Sequence, residues 1–187
     1  MAGISHGEEG DRGEAVKAVH RTNSWSSGLF ESQRRGRLNP EKAKELGLPE
    51  GPAWNRLQYG EQVEVNGAII KPDMVCGPPR EGRKVVYSGD TSPNEELIIL
   101  ARGADVLIHE STFLNELSDR AEEDGHSTAA QAAEVSKKAV VGRLVLTHIS
   151  SRYPEPDDLL AEAKKIFENV IVASDLMEID VPLKKAL

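Results

Sequence analysis

Three short apolar runs, each ending in a residue that can bind a metal or move a proton, constrain this chain more than any other feature. Val85-Val86-Tyr87 reads as a buried strand, broken by Ser88-Gly89, which leaves Asp90 at its carboxyl end. Asp105-Val106-Leu107-Ile108 is a second, with His109 and Glu110 at its tip, and Arg143-Leu144-Val145-Leu146-Thr147 a third, delivering His148. Between and after them lie helical patterns. Pro93 to Arg102 stops at Gly103, Thr128 to Val140 carries a small-residue stripe, and Asp157 to Asn169 has acids in its first turn. Strand-helix alternation of this kind predicts an α/β layered fold. Open α/β sheets place ligands beyond the carboxyl ends of their strands, so that edge is the expected active site.

Composition narrows the class. The chain has 187 residues, 39% of them hydrophobic, enough to bury a core. No apolar run approaches the roughly 20 residues of a membrane helix, and the first residues carry neither a signal nor a transit pattern. A soluble cytoplasmic protein with no membrane partner is expected. Cys76 is the single cysteine, which excludes an intrachain disulfide and a thiolate zinc cluster. The net charge of −8 argues against broad nonspecific binding of nucleic acid, so such a substrate needs local basic patches or metal ions.

Three segments are expected. Residues 1–28 read as poorly ordered or as an edge segment: 1–15 are polar and Gly-rich, and Val16 to His20 alternates weakly as a strand. His20 reads as a surface or turn histidine. Residues 29–82 hold a basic loop, a short helix and a hairpin. The loop is Gln33-Arg34-Arg35-Gly36-Arg37, either solvated or phosphate-contacting. The helix runs from the Asn39 cap to Gly47, Leu48 to Trp54 reads as a turn, and Asn66-Gly67 marks the hairpin. Residues 83–187 hold the alternating strands and helices, closed by Val170 to Ala173 and Ile179 to Val181.

The chemistry gathers in four places. Gly125-His126-Ser127-Thr128 precedes a helix, with Thr128 and Gln131 spaced as a capping box and Ser127 able to accept from the free amides. As a general acid, His126 needs a carboxylate partner, and Glu110 is nearest by layout; the bland alternative is a helix-flanking surface histidine. Asp90 is alternatively a turn aspartate, and His148 a histidine that closes its strand by bonding to backbone. Together, a carboxylate and imidazoles fit a zinc or manganese hydrolytic site, and a carboxylate can bridge two metals. Arg152 could neutralise a phosphate.

Ser88-Gly89-Asp90-Thr91, His109-Glu110-Ser111-Thr112-Phe113, Gly125-His126-Ser127-Thr128-Ala129 and Leu146-Thr147-His148-Ile149-Ser150-Ser151-Arg152-Tyr153 occur in this order. The set closely resembles the carboxyl-terminal half of ribonuclease Z, the tRNA 3′-end processing family of the metallo-β-lactamase superfamily. The likeness is strong from Arg83 to Val181. It is weaker over 29–82, where the Glu-Lys-Ala-Lys-Glu-Leu-Gly-Leu-Pro run looks archaeal. It implies half or more of an αββα sandwich, and hydrolysis of precursor tRNA that releases the 3′ trailer and leaves a 3′-hydroxyl. Asp90 would bridge two zinc ions, His148 would be a terminal ligand, and His126 would protonate the leaving 3′-oxygen. His109, Glu110 and Thr112, in a loop with Ser111 where the family has Ala, would orient the tRNA backbone and support the catalytic residues. Ser127, Thr128 and Arg152 would do the same.

The family's His-x-His-x-Asp-His signature, which supplies most zinc ligands and the aspartate general base, does not occur in this sequence. The resemblance therefore implies activity only with an amino-terminal half, supplied in cis or in trans, and an apolar sheet face awaiting a partner. It also implies a homodimer. Two alternatives stay open: an inactive remnant or binding module without metal, and a related phosphodiesterase with a small-molecule substrate.

Overall fold

The computed structural model describes residues 10–183 of the chain, in two compact units: residues 10–31 with 83–182, and residues 32–82. In chain order, β1 (Arg12–Lys17) and β2 (Trp25–Phe30) belong to the first unit. The second unit follows with α1 (Pro40–Glu45), α2 (Pro52–Gln58), β3 (Val63–Val65), β4 (Ala68–Ile70) and α3 (Pro72–Val75). The first unit resumes with β5 (Lys84–Tyr87), α4 (Glu95–Ala101), β6 (Val106–Glu110), a 3-10 turn (Asn115–Leu117), α5 (Ser118–Asp124), α6 (Ala129–Ala139), β7 (Leu144–Thr147), α7 (Asp157–Lys164) and β8 (Val170–Val172).

The first unit is a six-stranded sheet in the order β1-β2-β5-β6-β7-β8. β1, β2 and β5 pair antiparallel, while β5 to β8 run parallel, each joined to the next through a helical connection. Side chains alternate across a strand, so each strand divides its residues between two faces. Val86, Leu107, Leu144 and Leu146 point to the helix-covered face, where α4, α6 and α7 bury Leu97, Ala101, Ala132, Ala133 and Leu159 completely. Alanines let α6 lie close to the sheet. The opposite face carries Trp25, Leu29 and Tyr87, still 51%, 58% and 43% exposed.

Several local expectations need correction. Residues 1–9 lie outside the described residues, but Arg12 to Ala15 form β1 rather than a loop. Asn94 caps α4 through its side chain, which accepts from the Leu97 amide, so Pro93 precedes the cap. The stretch from Leu48 to Trp54 contains the start of α2, with Pro52 at its first position. α7 ends at Lys164, and Ile179 to Val181 form no strand; Arg83 Nη1 instead donates to the Val181 carbonyl. α5 had no counterpart among the expected helices, because Ala121 is the only apolar residue in its acidic run.

The second unit has its own small core of Ala43, Leu48, Leu57, Val63, Ile70 and Val75. Asn39 caps α1 by accepting from the Glu41 and Lys42 amides, and Asn66-Gly67 turns the β3–β4 hairpin. The Arg35 guanidinium sits over the Tyr59 ring, 3.4 Å from its centre.

Candidate active site

Because β5, β6 and β7 are adjacent and parallel, their carboxyl ends meet at one edge and bring Asp90, Glu110 and His148 together. Gly89 makes the first of these placements possible. Its φ of +60° is left-handed, and a Cβ there would lie 2.6 Å from the Trp25 carbonyl oxygen. Ser88 Oγ accepts from the Glu110 amide and donates to the Gly89 carbonyl, while Ser26 donates to the Ser88 carbonyl. Thr91 is tied on every side: its amide donates to Glu110, its carbonyl accepts from Ser127 Oγ, and its hydroxyl accepts from the Val19 amide and Asn94. The Asp90 peptide is thus held by its neighbours, leaving its carboxylate partly exposed and available.

Asp90 Oδ1 and His148 Nε2 are 3.7 Å apart. That is too long for a hydrogen bond, but donors that each bind one zinc ion at about 2.0–2.2 Å are separated by about 3–4 Å. His148 is prepared for such a role, since Thr112 Oγ1 engages its Nδ1 at 2.9 Å and leaves Nε2 for Asp90's side. It also adopts a left-handed φ of 53°, uncommon for a non-glycine residue and concentrated at functional sites. Asp90 and His148 therefore fit as part of a metal shell, which among the described residues is one donor short of the three protein ligands of catalytic zinc sites.

Glu110, His126 and His148 form a second grouping, with one donor atom of each within 4.8 Å of the others. Glu110 is nevertheless a poor ligand. It is fully buried, and its Oε1 accepts from the Thr91 amide and His126 Nδ1 (2.7 Å) while its Oε2 accepts from the Thr112 amide and hydroxyl. Both oxygens are committed. What Glu110 does is hold His126 by Nδ1, leaving Nε2 as that ring's available nitrogen. The His126 and His148 rings stack with centres 5.2 Å apart.

Several residues expected to touch a substrate do not reach the surface. His109, Ser127 and Thr128 are completely buried and Thr112 is 7% exposed. Ser127 donates to Thr91 instead of accepting helix amides, and Thr128 and Gln131 form the reciprocal capping box read from their spacing. These side chains build the floor under Asp90, Glu110 and His126. Arg152 is the exposed one, its guanidinium over the Phe113 ring and its Nε donating to Ser150 Oγ. His20, read as a turn histidine, lies beside His126 with ring centres 4.8 Å apart.

His109 donates from Nδ1 to the Glu110 carbonyl at 2.6 Å, and its buried Nε2 has no partner. Burial pushes its pKa below the ordinary 6.5, against the opposing pull of the Glu110 carbonyl and carboxylate. The folded state thus holds the ring neutral where the unfolded state takes up a proton. Stability is full above about pH 6.5 and falls below it, by at most about 1.4 kcal/mol per pH unit for this one proton. Urea unfolding from pH 8 to 5 is expected to show the slope, and His109→Asn to reduce it; equal slopes would contradict the assignment.

Comparison with known proteins agrees with this architecture. A β-lactamase superfamily domain model matches residues 73–149. The ribonuclease Z of Methanosarcina mazei is 52% identical over 171 residues, covering 91% of this chain and 56% of that protein. The ribonuclease Z of Archaeoglobus fulgidus is 50% identical over 169 residues, covering 89% and 55%. Human tRNase Z, short form, superposes with a TM-score of 0.56 at 25% identity, over 96% of this chain and 47% of that one. The chain spans about half the length of the curated relatives it matches. Along nearly all of its own length the chain is similar to ribonucleases Z, and its mixed sheet and helices have the metallo-β-lactamase fold.

Proposed function

We propose that this chain is the carboxyl-terminal part of a zinc-dependent endoribonuclease that removes the 3′ trailer from precursor tRNA. The observation that carries the reading is the 3.7 Å convergence of Asp90 and His148 beside the Glu110–His126 pair. Asp90 would sit between two zinc ions and His148 would bind one of them. Zinc, when bound, supplies Lewis acidity at the scissile phosphate. Water would form the new phosphorus–oxygen bond as the bond to the 3′-oxygen breaks. His126, steadied at Nδ1 by Glu110, gives the departing 3′-oxygen a proton from Nε2, so the tRNA keeps a 3′-hydroxyl and the trailer carries the 5′-phosphate. Arg152 offsets phosphate charge, and Arg34, Arg35 and Arg37 of the second unit provide local positive charge on a chain of net −8.

An amino-terminal half completes the site in this reading. Three facts support it: two donors among the described residues where zinc needs at least three, a half-length match to the relatives, and an apolar sheet face bearing Trp25, Leu29 and Tyr87. The completed enzyme acts in the cytoplasm, as a homodimer. No helix among the described residues is long and apolar enough to cross a membrane.

Mixed with an amino-half polypeptide that carries His-x-His-x-Asp-His, the chain is expected to cleave precursor tRNA with added zinc. In that mixture His126→Ala should lower kcat by about 10²–10⁴-fold; undiminished turnover would remove His126 from the chemistry. The two-donor count also favours a second reading, a binding module without metal. Failure of the mixture both to bind zinc and to cleave selects that module. Faster cleavage of a small phosphodiester than of precursor tRNA selects a related phosphodiesterase instead.

A further inference from the structure

The loop between β1 and β2 grips two parts of the site at once. On one side the Val19 amide donates to Thr91 Oγ1 and the Ser92 amide to the Val19 carbonyl, so the loop is fastened to the turn that bears Asp90. On the other side it closes on the turn before His126. His20 Nδ1 lies 2.8 Å from the Gly125 carbonyl, Arg21 Nε donates to the Glu123 carbonyl at 2.7 Å, and Arg21 Nη1 pairs with Asp124 at 3.2 Å. Gly125 ends α5 in a left-handed conformation (φ 77°), and a Cβ there would meet His20 Nδ1 and the Arg21 amide at 3.0 Å. The turn is therefore shaped for this loop.

We propose that His20 is a positioning residue whose Nδ1–H holds the Gly125 carbonyl and so fixes the peptide from which His126 presents its ring to Glu110. A carbonyl only accepts, so this bond requires the proton on His20 Nδ1. Gly125 is the residue directly before His126, and rotation of the peptide joining them would swing the imidazole away from a carboxylate that cannot follow, since Glu110 is buried and bonded through both oxygens. The His20 ring, 4.8 Å from that of His126 and tilted by 56°, also limits where His126 can turn. The functional weight of this placement rests on the reading of His126 as proton donor; the placement itself does not.

The test uses the full chain with ¹⁵N-labelled histidine, reading the exchange rate of the His126 Nδ1 proton that faces Glu110. His20→Asn puts an amide N–H close to the Nδ1 position, whereas His20→Gln carries its amide one bond too far and His20→Leu has none. The Asn variant is expected to stay within about twofold of the parent, and the Gln and Leu variants to exchange about tenfold faster or more. Parental exchange in the Gln and Leu variants, or loss in Asn equal to that in Gln, would overturn the proposal. If Leu does not fold, the Asn–Gln comparison decides alone. In the completed enzyme His20→Gln should lower kcat about tenfold with KM unchanged. Should His126→Ala leave turnover intact, the catalytic reading falls while the exchange result still judges the role of His20.

Discussion

Replacing Glu110 with alanine is expected to lower the free energy of unfolding by about 3–5 kcal/mol, the largest loss from any single polar side chain in the first unit. The carboxylate has no exposed surface, and four donors converge on it: the amides of Thr91 and Thr112, the Thr112 hydroxyl and His126 Nδ1. Removing the acceptor leaves the Thr91 and Thr112 amides of the buried floor without it and frees His126, while Thr112 Oγ1 still reaches His148. Glu110→Gln keeps the volume but still fails, because its NH₂ must face either the Thr112 pair or the Thr91–His126 pair, and both pairs donate. It should cost about 2–3 kcal/mol. Urea unfolding at pH 7 measures both; an unchanged midpoint in the alanine variant would mean that the convergence on Glu110 is not what holds the site.

Asp90→Ala is expected to do the opposite. Its carboxylate is partly exposed, and its contact with His148 is 3.7 Å, beyond hydrogen-bond reach, so stability should change by no more than about 0.5 kcal/mol. If the proposed function holds, turnover of precursor tRNA by the chain completed with an amino-terminal half should nevertheless fall by about 10³-fold or more, because a carboxylate that would hold the metal is lost. A floor residue lowers stability and activity together, whereas a ligand lowers activity alone. An Asp90→Ala variant that unfolds early, or one that still cleaves, would break that division.

Much of this arrangement could be read one segment at a time. β5, β6 and β7 are short β-branched and leucine-rich runs with a turn or a polar tip, and the tips were the residues that met. The capping box of Thr128 and Gln131 was legible because both partners lie within four positions of one another. α5 escaped because a solvated acidic helix has no apolar stripe to give a period, and α2 because Gly51-Pro52 announces a turn and a helix start in the same letters. His109, Thr112, Ser127 and Thr128 were expected at the substrate for a different reason: polar residues beside a site look alike whether they face the substrate or support what does.

What the amino-acid order settled unaided was part of the local structure: the strand runs of β5, β6 and β7, the caps of α1 and α6, and that acid and imidazole groups sit at strand ends. Those follow from side-chain periodicity and from caps formed between near neighbours. Depth and pairing came only with the folded chain. Thr112 meets His148 across 36 positions and His20 meets Gly125 across 105. Such contacts exist because parallel strands bring their tips to one edge and a β1–β2 loop folds back over it. No spacing along the chain records either fact, since distance in space between residues so far apart is set by the packing of everything between them.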